Sequence, residues 1–77
     1  MNKIRRKAIE DIWGKISELK DMIEIIKDEE EEAKDNMPEN LWGSARYEAM
    51  EETVYSLEDA IDNLETVCDT LSEIVEG

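Results

Sequence analysis

Two long stretches of three-four apolar spacing, parted by a single interruption, decide what this chain can become. The first runs Ile9, Ile12, Ile16, Leu19, Ile23, Ile26, then Ala33 and Met37, with Glu30 as its one polar break. That alternation is the heptad seam of a helix packed on other helices. Ala8, Trp13 and Met22 flank the seam, and Ile4 and Ile25 lie further round. The spacing predicts a first helix over about residues 3–35, nearly 50 Å long at about 1.5 Å per residue. Gly14 costs about 1 kcal/mol against Ala inside a helix, so close packing beside it or a local weakness is expected.

The second stretch repeats in sevens. Met50, Leu57, Leu64 and Leu71 form one row and Val54, Ile61, Cys68 and Val75 its partner, while Ala60, Val67 and Ile74 add a third. Two rows suffice for one neighbouring helix, and a third calls for more than one. The expected fold is therefore all-α: an antiparallel two-helix hairpin, coiled-coil-like, assembling into an oligomeric helical bundle with a four-helix dimer as the simplest case. One domain, residues 1–77, is expected, with helix 1 at about 3–35, a connector at 36–44 and helix 2 at about 45–75.

The interruption is Met37-Pro38-Glu39-Asn40-Leu41-Trp42-Gly43-Ser44. Pro38 disfavours helix for Met37 and suits the first position of a new helical turn, so Pro38–Leu41 is read as a single turn. Gly43 breaks it again, and Ser44 is the expected N-cap of helix 2. Leu41 and Trp42 are expected to fold back as a plug over the end of the bundle.

Charge supports the antiparallel arrangement. Asp28–Glu32 is a run of five carboxylates near the end of helix 1, and Lys3, Arg5, Arg6 and Lys7 crowd its start. Both oppose the macrodipole of a lone helix. A second helix running the other way sets its acidic end (Asp69, Glu73, Glu76) against the basic cluster and its positive end against the acidic run.

With 22 acidic residues against 9 basic, the net charge of −13 repels nucleic acid and anionic membrane, so neither is an expected direct partner. A rod of carboxylates can instead imitate nucleic acid for a basic protein. One Cys and no His leave no intramolecular disulfide, no ordinary zinc site and no nucleophile–base pair of the usual kind. Cys68 is read as a small core residue. Paired carboxylates lack the Glu-x-x-His of di-iron bundles, so no metal and no cofactor are expected. No apolar run approaches a bilayer span, and charged helix in place of a signal core follows the basic start, so a cytoplasmic location with reduced Cys68 is expected.

The residues with binding potential gather at the connector. A helix N-terminus favours anions, Ser44 adds a hydroxyl, and Arg46 adds a guanidinium that grips phosphate bidentately. Trp42 and Tyr47 offer planar faces and Asn40 hydrogen-bonding groups. Lys3, Arg5 and Arg6 lie about 50 Å away in one hairpin, but a neighbouring subunit can bring them to the connector. The plainer reading has Trp42 and Leu41 closing the core, Ser44 capping, and Arg46 pairing with the acidic run.

The basic start Met-Asn-Lys-x-Arg-Arg-Lys, the block Asp35-Asn-Met-Pro-Glu-Asn-Leu-Trp-Gly-Ser-Ala-Arg-Tyr-Glu and the Leu-Glu-x-Ala-Ile-x-Asn-Leu-Glu repeat resemble short proteins of phages and prophages of Gram-positive bacteria. The resemblance covers nearly the whole chain and implies a viral origin more than an activity. In size, helical-hairpin form and oligomerisation the layout is similar, more loosely, to phage sponges such as the anti-CBASS and anti-Thoeris proteins. That similarity implies a counter-defence protein that sequesters a nucleotide-derived immune signal without catalysis, and the expected ligand-binding set is Arg46, Ser44, Trp42, Tyr47, Asn40, Lys3, Arg5 and Arg6. The alternatives are an acidic protein–protein inhibitor or DNA mimic that blocks a basic host partner, and a structural oligomer.

Overall fold

The computed structural model describes all residues, Met1–Gly77. Helix α1 spans Lys3–Asp35 and helix α2 spans Ala45–Glu76, joined by a connector with one 3-10 turn at Glu39–Leu41. The helices lie side by side as an antiparallel hairpin, a rod whose backbone extends 60 × 14 × 13 Å. Neither helix is long and apolar enough to cross a membrane.

Local chemistry sets the boundaries. The Asn2 side chain accepts a hydrogen bond from the Arg5 backbone N–H at 2.8 Å and starts α1, and the Ser44 hydroxyl accepts from the Tyr47 N–H at 3.2 Å and starts α2. Pro38 opens the 3-10 turn, whose Leu41 N–H returns to the Pro38 carbonyl at 2.9 Å. Gly43 adopts φ of 85°, the left-handed region that lets the chain reverse. Apart from its own helix backbone, nothing lies within 4 Å of where a Gly14 Cβ would stand, so the close packing expected as one reason for this glycine is not present.

The packing of α2 follows its repeat. Val54, Ile61 and Cys68 are buried, and the row Met50, Leu57, Leu64, Leu71 is half-buried. The packing of α1 differs from its apolar pattern. Residues turned toward α2 are Ile9, Ile16, Ile23, Glu30 and Met37 together with Arg6, Trp13, Lys20, Lys27 and Lys34, whereas Ile12, Leu19 and Ile26 are about half exposed. The seam has rotated by one row, and the reason is chemical. Lysine stems cover apolar surface while their ammoniums reach carboxylates at the rim. The Lys27 ammonium, for example, lies 2.9 Å from Asp28 and 3.6 Å from Glu31.

The rotation leaves the core closed on one side and open on the other. The Trp13, Lys20, Lys27, Lys34 row seals the side on which Val54, Ile61 and Cys68 are buried. On the opposite side the isoleucine row of α1 and the leucine row of α2 are only half covered. Only three of 77 residues are buried, and a chain this short has little stability to spare.

Candidate functional site

Residues seven apart return to one side of a packed helix, so the surface can be read in rows. Register comes from the groove between the helices, where Glu24, Lys27 and Asp28 of α1 share one lining with Glu58, Ile61 and Asp62 of α2. Stepping seven residues along each helix sets Ala33 level with Thr53, Ile26 with Ala60, Leu19 with Val67 and Ile12 with Ile74.

The two long faces that result are chemically opposite. On the sealed side a shallow groove is lined by Glu24, Lys27, Asp28, Glu58, Ile61 and Asp62. The rows bordering it, Glu10, Ser17, Glu24, Glu31 and Glu51, Glu58, Glu65, Ser72, carry carboxylates along nearly the whole rod. The open side is crowned by Arg5, Ile12, Leu19, Ile26, Ala33 on α1 and by Arg46, Thr53, Ala60, Val67, Ile74 on α2. Those ten positions contain no carboxylate, in a chain with 22. Ile12, Leu19, Ile26, Val67 and Ile74 are 49%, 54%, 55%, 42% and 37% exposed, one continuous uncovered strip.

At the connector the expected binding residues are brought close, and several satisfy one another. The Trp42 indole N–H donates to the Met37 carbonyl at 2.8 Å, and its ring stacks on Tyr47 with centroids 5.9 Å apart. The Ser44 hydroxyl is engaged as the cap. Leu41 and Trp42 are 43% and 50% exposed, so they are not the buried plug expected of them, and Trp42 with Tyr47 forms a clasp on the outside of the turn. Asn40 and Arg46 are exposed, and Arg46 makes no ion pair with the acidic run or any other carboxylate. Lys3, Arg5 and Arg6 stand at the far end of α1, about 50 Å away, so a single hairpin does not unite the two clusters. The Arg6 Nε is covered and has no hydrogen-bond partner.

Two ammoniums are shifted. Lys7 is raised by its hydrogen bond and charge pairing with Asp11, at 3.0 Å, and Lys27 is raised by its hydrogen bond to Asp28. No group of three or more His, Cys, Asp or Glu side chains is placed to hold a metal ion. Cys68 is a buried free thiol at an α2 seam position. Reading the apolar residues alone missed Lys34, which lies over Tyr47, and missed the carboxylate-free rows. The second signal was present in the sequence as gaps in an otherwise acidic heptad pattern. Comparison with known protein families, with curated proteins and with solved structures yields no match for this chain.

Proposed function

We propose that this chain is a non-enzymatic binding protein that self-associates through its open face and engages a cationic protein partner through its acidic one. The observation that carries the reading is the segregation of charge: carboxylates line the sealed side, and the two rows crowning the open side have none. An acidic rod of this length suits a partner that ordinarily grips nucleic acid, and such binding is steered electrostatically. Size-exclusion light scattering tests the first half, with a monomer as the adverse result. Pull-down of a basic DNA-binding protein tests the second. Capture that survives high salt, or that is unchanged when Glu24, Glu31, Glu58 and Glu65 are all replaced by Gln, sinks it.

A second reading is favoured by the connector. Arg46 is exposed and makes no ion pair, and Trp42, four residues earlier, is half exposed; a guanidinium and an indole carried on one short segment suit a phosphate and a planar base. Under this reading the protein is a phage counter-defence sponge for a nucleotide-derived signal, with Asn40, Ser44 and Tyr47 beside the ligand and Lys3, Arg5 and Arg6 supplied by a neighbour. Calorimetric titration with cyclic dinucleotides and ADP-ribose derivatives tests it. Heat of binding lost in Arg46→Ala is expected, and no heat across the panel removes the reading.

A further inference from the structure

We propose that the open face is covered by a second copy of this chain, laid on it with the two hairpins antiparallel and their connectors at opposite ends. The inference rests on the self-association reading and adds the interface and its symmetry.

Side-chain volume favours the antiparallel pairing. Along one hairpin the open face tapers, from Ile12 beside Ile74 near the termini to Ala33 beside Thr53 near the connector. Two copies with connectors together stack four large residues at one end and four small ones at the other. Packed helices held about 8–10 Å apart cannot fill both layers. Reversing the second copy sets Ile12 and Ile74 of one chain against Ala33 and Thr53 of the other. The inner layers then pair Leu19 and Val67 with Ile26 and Ala60. Every layer holds a similar volume, and one hairpin corrects the taper of the other.

Charge favours the same pairing. The row beside Ile12 on α1 reads Ala8, Lys15, Met22, Glu29. A two-fold axis at the centre of the apolar rows passes next to Met22. It brings Lys15 of each copy level with Glu29 and Glu30 of the other, and Met22 level with its own counterpart. The matching row of α2 reads Ser56, Asn63, Thr70, which the same axis sets hydroxyl to hydroxyl and amide to amide. With connectors together, Lys15 would face this neutral row and Glu29 would have no counter-charge. Reversal alone gives an isologous interface that matches itself in both size and sign.

Extent is adequate. Ile12 to Ala33 spans about 32 Å and two helices about 20 Å, giving roughly 600 Å² from each copy, near the ~800 Å² per partner of stable complexes. The half-covered leucine and isoleucine rows are what such a lid would finish burying. The same axis brings Arg5 of one chain level with Arg46 of the other, so each end of the dimer carries a cationic corner built from two chains.

Orientation is tested with nitroxide labels on Asn40→Cys in a Cys68→Ala background, read by pulsed electron resonance. Labels about 50 Å apart are expected, and labels within about 25 Å overturn the arrangement while leaving self-association standing. Met22→Cys in the same background should form a disulfide-linked dimer on mild oxidation. Lys15→Glu should weaken dimerisation roughly three- to thirtyfold, and the double swap Lys15→Glu with Glu29→Lys should restore much of the loss. A folded chain that sediments as a monomer at high micromolar concentration overturns the interface altogether.

Discussion

Gly43 shows how much one residue can fix. A Cβ there meets nothing within 4 Å, so space is no obstacle, and the cost of Gly43→Ala is purely the backbone at φ of 85°. A loss of about 1 kcal/mol by urea denaturation is expected. Gly14→Ala is the mirror case: the site is open and helical, and a gain of about 0.5–1 kcal/mol is expected in the same assay. Trp42→Phe keeps a ring against Tyr47 but removes the donor to the Met37 carbonyl, and should cost about 0.5–1.5 kcal/mol. Pro38, Gly43 and Ser44 were legible in the sequence because each acts on its own backbone. Trp42 was not. Its apolar bulk suggested burial, and nothing in residue order reveals that its indole ties off a carbonyl outside the core.

Between elements, the repeat of α2 was readable in full because its two seam rows are uniformly apolar. The α1 seam lies one row away from its apolar pattern, since Lys20, Lys27 and Lys34 have the character of solvent residues yet are half-buried against α2. Replacing them with Glu should open the sealed side and reduce helicity by circular dichroism, whereas Met at the same positions should be tolerated. The ammoniums of Lys7 and Lys27 titrate above the usual 10.5 because neighbouring carboxylates hold their protons. The folded state binds those protons more tightly than the unfolded chain. Their contribution is therefore complete below about pH 10 and disappears as pH rises through the folded values. Base titration followed by circular dichroism should show a small loss above that point, and charge-conserving Lys27→Arg should postpone it. At the helix starts, Ser44→Ala should cost about 1 kcal/mol, and Asn2→Ala less, because a terminal turn frays independently of the hairpin.

The whole molecule carries a net charge of −13, and pairing two copies doubles that to −26. Raising salt should therefore tighten self-association while loosening any cationic partner, two opposite slopes that sedimentation and pull-down can read separately. Hairpin form was legible from the break at Pro38. The opposed charges at the helix ends, expected to face each other, form no ion pair between the helices: all four pairs lie within α1. The identity of the open face was not legible, because it depends on which row the lysines occupy. The clasp at Trp42, Tyr47 and Lys34 bears finally on how fast the chain assembles. Pairing across the connector closes the shortest loops, and loop-closure entropy grows with separation, so the helices should zip from Tyr47 toward Val75. Trp42→Ala should then slow refolding, whereas Ile9→Ala, at the last rung to form, should chiefly hasten unfolding.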